Sequence, residues 1–480
     1  VGLEVLVAPV NELNDNFVNI LMNAYKFKNF INNDPILDFL KIHQLYKKDS
    51  ELRGFDEELL LENYTKNNKK ILCEKIFGRI GDDAIKIAPD AFVMKTRKID
   101  NHFKNPMNVD TAGDDYSLFT IEYGSLSVLK NGRVSKTHKY YNFKNWLYTL
   151  ECRYKIDGSF ILGRKYSTYD SYDMLAHNPY KFEELVKQGN EHFNSIRTKT
   201  IGVDLFPNMK NTSDFPYHNA KKLISEEYEE LTSLKGVSVK ERDEYINKGI
   251  FKRSQLDYLK RSDKKFVNFN KLPLVETKDT KLIFIDFEIL TNVYDDFTSF
   301  PKSNNKDHLF NVGCCYSGMK EPLSLVSRNV EDEKDLMISF IDFLNNVDSP
   351  SVTFVHWTHI EKRVFEQKMK EYDDIVSLDK EVFWFDLHDY FLKSDIYIEN
   401  CLNYKLKIVS RCLEKMGHIE SKWDNGLFFD GLGAMTGFIK YLKTGDETIL
   451  NEIINYNVID CKVMMEIYDF LQKDLDVPNS

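Results

Sequence analysis

KLIFIDFEIL, residues 281–290, decides the reading of this chain. Its apolar residues run into Asp286, Phe287 and Glu288. Side chains alternate across a strand, so residues i and i+2 share a face. Asp286 and Glu288 therefore point the same way from a strand apolar enough to be buried. Two carboxylates so placed repel each other and are accommodated by a divalent cation between them. The remaining ligands of such a cation must come from elsewhere in the chain.

The bulk numbers set the frame. At 480 residues the chain is long enough for two or three domains. With 42% apolar and 29% charged residues it reads as globular. The net charge of −10 argues against a protein coated in nucleic acid but leaves room for a local basic groove. The seven cysteines are scattered, odd in number and without a CxxC pair. They read as reduced thiols without structural zinc, and so as an intracellular protein of cytoplasm or nucleus. No apolar run reaches the roughly 18 residues of a membrane span, and no signal peptide is visible.

The fold class expected is α/β. Residues 1 to about 75 read as helical, from the spacing in FVNILMNAYKFKNFI (17–31) and DPILDFLKIHQLY (34–46). Shorter β-like runs follow from about 84 to 166, interrupted by a helix at NFKNWLYTLECRY (142–154). Residues 167–210 read as helical again. The expected domains are 1–210, a charged helical connector over 211–274, and a second α/β domain over 275–480. In the last, FNVGCCYSG (310–318) and EPLSLVS (321–327) read as a hairpin continuing the first strand. SVTFVHW (351–357) reads as a buried strand, THIEKRVFEQKMKEY (358–372) as the helix after it, and NEIINYNVIDCKVMMEIYDFLQKDL (451–475) as a long final helix.

FIDFE (284–288), HWTHIE (356–361) and YNVID (456–460), in that order and spacing, resemble the three motifs of the DEDD exonucleases, which have a ribonuclease-H-like fold. The resemblance implies a mixed sheet flanked by helices and an acid set of Asp286, Glu288, Glu361 and Asp460. Glu361 stands where that superfamily usually has Asp, and Tyr456 matches its YxxxD form. It implies two Mg²⁺ or Mn²⁺ ions and 3′-to-5′ exonuclease action on a single-stranded 3′ end of DNA or RNA. The chemistry agrees: two hard cations about 4 Å apart supply the nucleophile and neutralise charge on the phosphate. Tyr456, at i−4 from Asp460 on one helix face, would orient the attacking water. His356 and His359 read as structural or phosphate-facing.

The first half resembles, more weakly, the RecB-like PD-(D/E)XK nuclease domain that proteins of large DNA viruses and bacteria carry ahead of a ribonuclease-H-like domain. IAPDAFVMK (87–95) would supply the first acid, Asp90. FTIEYGSLSVLKNG (119–132) would supply the second acid and lysine, but holds Thr120 and Glu122 there. The helix of the Q-x-x-x-Y motif holds Trp146 and Leu150. LFPNMKNTSDFPYHNAKK (205–222) resembles the segment that joins the two domains in the viral proteins. The reading is an inactive domain kept for binding or scaffold, with Glu122 as a functional acid the alternative. In the connector, Lys235, Lys240 and Arg242 flank a glycine turn loosely like a helix-hairpin-helix, and Lys252, Arg253, Lys260, Arg261, Lys264 and Lys265 follow. These cations could bind phosphate or form a solvated helix face. The rival to an exonuclease is a non-catalytic nucleic-acid-binding or structural protein built on two nuclease folds. Replication, repair or virion proteins are the expected partners, and a viral factory or virion is a further expected location.

Overall fold

The computed structural model describes residues 24–44, 57–104, 113–166, 174–211, 217–256, 266–268, 272–290, 307–423 and 431–474, apart from single positions. Glu58–Ser225, with the described residues before it, forms one compact unit; the described residues from Glu226 onward form a second. Both are α/β, as expected, and each holds a five-stranded mixed sheet.

In the N-terminal unit, β1 (Ala84–Ala88), β2 (Ala91–Lys95), β3 (Tyr116–Leu126), β4 (Ile156–Tyr166) and β5 (Ala176–His177) lie in sequence order. The β3–β4 pair is parallel and the rest are antiparallel. Helices α1 (Ile36–His43), α2 (Glu57–Ile80), α3 (Lys139–Glu151), α4 (Glu183–Ser195) and α5 (His218–Glu227) accompany it. Alternation along β3 divides the core. Phe119, Ile121 and Tyr123 pack with Leu72, Cys73 and Ile76 of α2. Leu118 packs on the other side with Tyr148 of α3. In the segment 205–222, Lys221 is fully buried and its ammonium meets Asp34 at 3.0 Å and Asp214 at 2.7 Å.

The C-terminal sheet runs β11-β10-β7-β8-β9, from β7 (Thr280–Leu290), β8 (His308–Cys315), β9 (Leu323–Val326), β10 (Ser351–His356) and β11 (Glu381–Asp386). The β7–β8–β9 meander is antiparallel, and β10 and β11 add to it in parallel. Helices α6 (Val239–Asn247), α7 (Glu333–Asn345), α8 (Ile360–Glu371), α9 (Leu387–Lys393), α10 (Leu406–Lys415), α11 (Gly431–Thr444) and α12 (Glu447–Asp474) belong to this unit. The hairpin, the buried strand and the two helices read from the sequence are all present. Short β6 (Phe266–Asn268) pairs with β12 (Ile396–Ile398).

Strand β7 separates two cores. Ile283, Ile285 and Phe287 pack with α7 and α8 residues such as Phe340 and Phe365. Leu282 and Phe284 pack with Val409 of α10 and Met464 of α12. Asp286 and Glu288 continue that second row, so their carboxylates lie on the sheet face that α12 covers.

Candidate metal centre

Asp286 and Glu288 of β7 and Asp460 of α12 each offer a carboxylate oxygen within 4.8 Å of the other two. Glu288 and Asp460 are buried, and Asp286 is partly so. The close approach of helix to sheet has a local cause. Asp286 faces Gly313 across the β7–β8 ladder. A Cβ on Gly313 would lie 2.0 Å from Oδ1 of Asn457, one turn before Asp460 on α12. Glycine there lets α12 settle on β8. Asn457 then donates through Nδ2 to the Asp286 carbonyl at 3.0 Å and to Asp286 Oδ2 at 2.6 Å. Gly431 at the start of α11 closes the other side, with room for a Cβ 3.8 Å from Glu288 Oε2.

Glu361 and Tyr456 were expected beside this group. Glu361, buried on the first turn of α8, lies outside the 4.8 Å set but is near enough for its charge to bear on all three acids. His356 Nδ1 stands 3.6 Å from Glu361 Oε2, and Thr358 Oγ1 donates to the same oxygen at 3.5 Å. His356 is buried at the edge of the Trp384 ring, a positioning place, while His359 is exposed. Tyr456 is buried and its hydroxyl bonds the Asp460 carboxylate.

Electrostatics shows what the centre lacks. Burial, then the charges of Asp460 and Glu361, push the Asp286 carboxyl well above the ordinary range, against the Asn457 bond and Lys407. Burial, then Asp286 and Asp460, does the same to Glu288. Burial lifts Asp460 from 3.8 to about 7, opposed by Lys407 and by bonds from Trp423 and Tyr456. Three groups that resist ionisation in one another's presence form a site that a hard dication would relieve.

Three neighbours were not singled out in the sequence. Asn457 was passed over as a polar residue in a helix. Trp423 donates Nε1–H to Asp460 Oδ1 at 3.0 Å. Lys407, on α10, holds its ammonium 4.2 Å from the Tyr456 ring centre and 5.2 Å from that of Trp423. No motif spacing links α10 to the acids, so only the fold reveals these contacts.

Residues 298–472 match the family described as RNase_H superfamily. The C-terminal unit carries an RNase H superfamily domain. The match takes in Glu361, Tyr456 and Asp460; the strand bearing Asp286 and Glu288 precedes it and joins it through the β7–β8 and β7–β10 ladders. No curated protein and no solved structure matches the chain. Among the described residues no helix is long and apolar enough to cross a membrane.

The N-terminal unit carries a second buried charge cluster. Asp90 is not left alone there: Glu122 of β3 joins it, with Lys69 of α2 and Lys144 of α3. Lys69 Nζ lies 2.5 Å from Asp90 and 2.9 Å from Glu122. Lys144 lies 2.9 Å from Asp90 and also pairs with Glu122. Tyr148 donates its hydroxyl to Asp90 at 3.1 Å. Burial alone would raise Asp90; the two ammonium groups instead hold it far below the ordinary range. Thr120 accepts a bond from Asn145 at 3.1 Å, Trp146 packs against Phe143 and Phe182, and Leu150 is exposed.

The connector cations are partly used within the fold. Arg242 is buried 3.7 Å from Glu230, which turns it away from a phosphate-binding role. Lys235 lies over the Tyr404 ring, and Lys240 is exposed beside Glu244. Lys260, Arg261, Lys264 and Lys265 lie outside the described residues.

Proposed function

We propose that this chain is a metal-dependent 3′-to-5′ exonuclease acting on DNA or RNA through its RNase H domain. The observation that carries the reading is the convergence of Asp286, Glu288 and Asp460 within 4.8 Å. Their raised proton affinities are what a site gives when built for cations and read without them. Asp286, Glu288, Asp460 and Glu361 would hold two Mg²⁺ or Mn²⁺ ions. Bound there, the cations supply hydroxide near neutral pH and neutralise charge on the phosphate. The chain's own residues do the positioning. Asn457 fixes the Asp286 carboxylate, Thr358 and His356 hold Glu361, and the Tyr456 hydroxyl orients a water beside Asp460. In the reaction water adds across the P–O3′ bond: phosphorus gains the OH, and O3′ leaves with the proton. The products are a nucleoside 5′-monophosphate and a strand one residue shorter.

The N-terminal unit is read as inactive and used for binding or scaffold. Its acids are already neutralised by Lys69 and Lys144, which leaves no net charge to attract a cation. A binding protein without catalysis is the second reading, favoured by the position of Glu361 outside the acid trio. Single-turnover cleavage of 5′-labelled DNA and RNA strands in Mg²⁺ and Mn²⁺ decides between them. A ladder shortening from the 3′ end, abolished by Asp286→Asn, is expected; binding without cleavage in either metal would leave the second reading standing.

A further inference from the structure

Lys407 enters the acid centre from α10, an element that contributes none of the acids. Its ammonium rests over the faces of Tyr456 and Trp423. Both of those side chains also bond Asp460. A cation over an aromatic face gains about 0.5–2 kcal/mol. The rings therefore fix the ammonium at the mouth of the carboxylate group while supplying no counter-charge of their own. The N-terminal lysines differ, since each is bonded directly to two acids. Lys407 also favours ionisation of Asp286, Glu288 and Asp460 alike, which locates its charge close to all three.

A charge count gives this placement a purpose. Asp286, Glu288, Glu361 and Asp460 carry four negative charges when ionised, which two divalent cations would cancel. Lys407 then supplies the one positive charge left over, and a phosphodiester carries one negative charge. We propose that Lys407 is the phosphate-binding residue of this site, its ammonium contacting a non-bridging oxygen of the linkage to be cleaved. The proposal rests on the nuclease reading above. Its rival is a lysine that only screens the acids when no metal is bound. A screening lysine competes with metal and is indifferent to phosphate.

The test is a binding cycle in Ca²⁺ between the full-length chain and fluorescent single strands. A neutral methylphosphonate replaces one of the last four 3′ linkages in turn. Lys407→Met keeps the aliphatic cover on the rings and removes the charge; Lys407→Gln is a second neutral variant, and Lys407→Arg keeps the charge. A charge-assisted bond lost predicts roughly 10- to 100-fold weaker binding by the neutral variants. The parent should lose a similar factor at one methylphosphonate position, where the neutral variants lose nothing more, and Lys407→Arg should follow the parent. The Mn²⁺-induced rise in unfolding temperature should be kept or enlarged in the neutral variants, since a competing cation is gone.

Parent-like binding by both neutral variants, no binding by the parent, or losses that multiply at every linkage would overturn the proposal. So would disappearance of the Mn²⁺-induced rise, which would make Lys407 a support for the acids. A parent that binds with this coupling yet cleaves nothing in Mg²⁺ or Mn²⁺ would sink the nuclease reading and leave the phosphate contact intact.

Discussion

Replacing Asp460 with Asn should make the metal-free protein more stable at alkaline pH and less stable than the parent once metal is added. In the folded chain Asp460 titrates at about 7, against 3.8 for the ordinary group. The sign follows from linkage. Below about pH 4 the group is protonated folded and unfolded alike. Between 4 and 7 the unfolded chain ionises and the folded one does not, so stability falls as pH rises. Above 7 the folded protein carries the whole cost, on the order of 4 kcal/mol at 1.36 kcal/mol per pH unit. Asparagine removes that cost while its carbonyl still accepts the Trp423 bond, now without charge assistance, a loss of about 1 kcal/mol. The net gain expected is about 3 kcal/mol near pH 8.5 in EDTA, shrinking to nothing near pH 4. Relief of Asp286 and Glu288, both raised by Asp460, adds in the same direction. Mn²⁺ at about 100 times its Kd should then stabilise the parent by about 2.7 kcal/mol and leave the variant unmoved. Urea unfolding followed by tryptophan fluorescence suits the measurement, because Trp357, Trp384 and Trp423 all lie in the C-terminal unit. A variant no more stable than the parent near pH 8.5 in EDTA would refute the crowding of the acids.

Tyr456→Phe keeps the ring beneath Lys407 and loses only the hydroxyl; turnover should fall about 10²-fold with metal and oligonucleotide affinity unchanged, as single-turnover cleavage and titration would show. Gly313→Ala puts a methyl group 2.0 Å from Asn457 Oδ1. It should cost about 1–3 kcal/mol in urea unfolding and weaken Mn²⁺ binding, as α12 shifts off β8. Lys144→Met leaves Asp90 and Glu122 with Lys69 alone, and the N-terminal unit should lose about 3–5 kcal/mol by thermal unfolding. Asp90→Ala should leave cleavage rates at the parent level, whereas loss of endonucleolytic cutting would show a working N-terminal site.

The C-terminal fold was legible because β7 announces itself. Its apolar residues alternate between two cores, and a break in that alternation at Asp286 and Glu288 needs a chemical reason. Asp460 and Tyr456 were legible through the one-turn spacing of a helix that is otherwise apolar on its inner face. The supporting residues were not. Gly313 and Asn457 matter to each other across a strand–helix contact about 140 residues apart in sequence, where no periodicity operates. Lys407 looks like any lysine in a charged helix until α10 docks beside α12. In the N-terminal half, comparison with active nucleases directed attention to what Thr120 and Glu122 had replaced. It gave no weight to Lys69, which lies in a polar stretch that reads as a solvated face. The pairing of Glu122 with Asp90 became visible only when β3 and the β1–β2 turn came together.

The two halves of the chain meet the same electrostatic problem and answer it differently. Each places two carboxylates on one face of a sheet beneath a helix. In the N-terminal unit the helices bring Lys69 and Lys144 to within hydrogen-bonding distance of both acids. Those ammonium groups are tethered to the fold, so a dication entering there must displace a counter-ion already held at high local concentration. In the C-terminal unit the covering helix brings another acid, Asp460, and an amide, Asn457, so the excess charge is met by protons. A proton is displaced from such a site by a divalent cation at ordinary concentrations near neutral pH, and ligand protonation then sets the pH dependence of binding. The difference lies in which side chains the covering helices supply to the acids beneath them. By that measure metal-dependent chemistry belongs to the RNase H domain, and the N-terminal charge cluster belongs to folding.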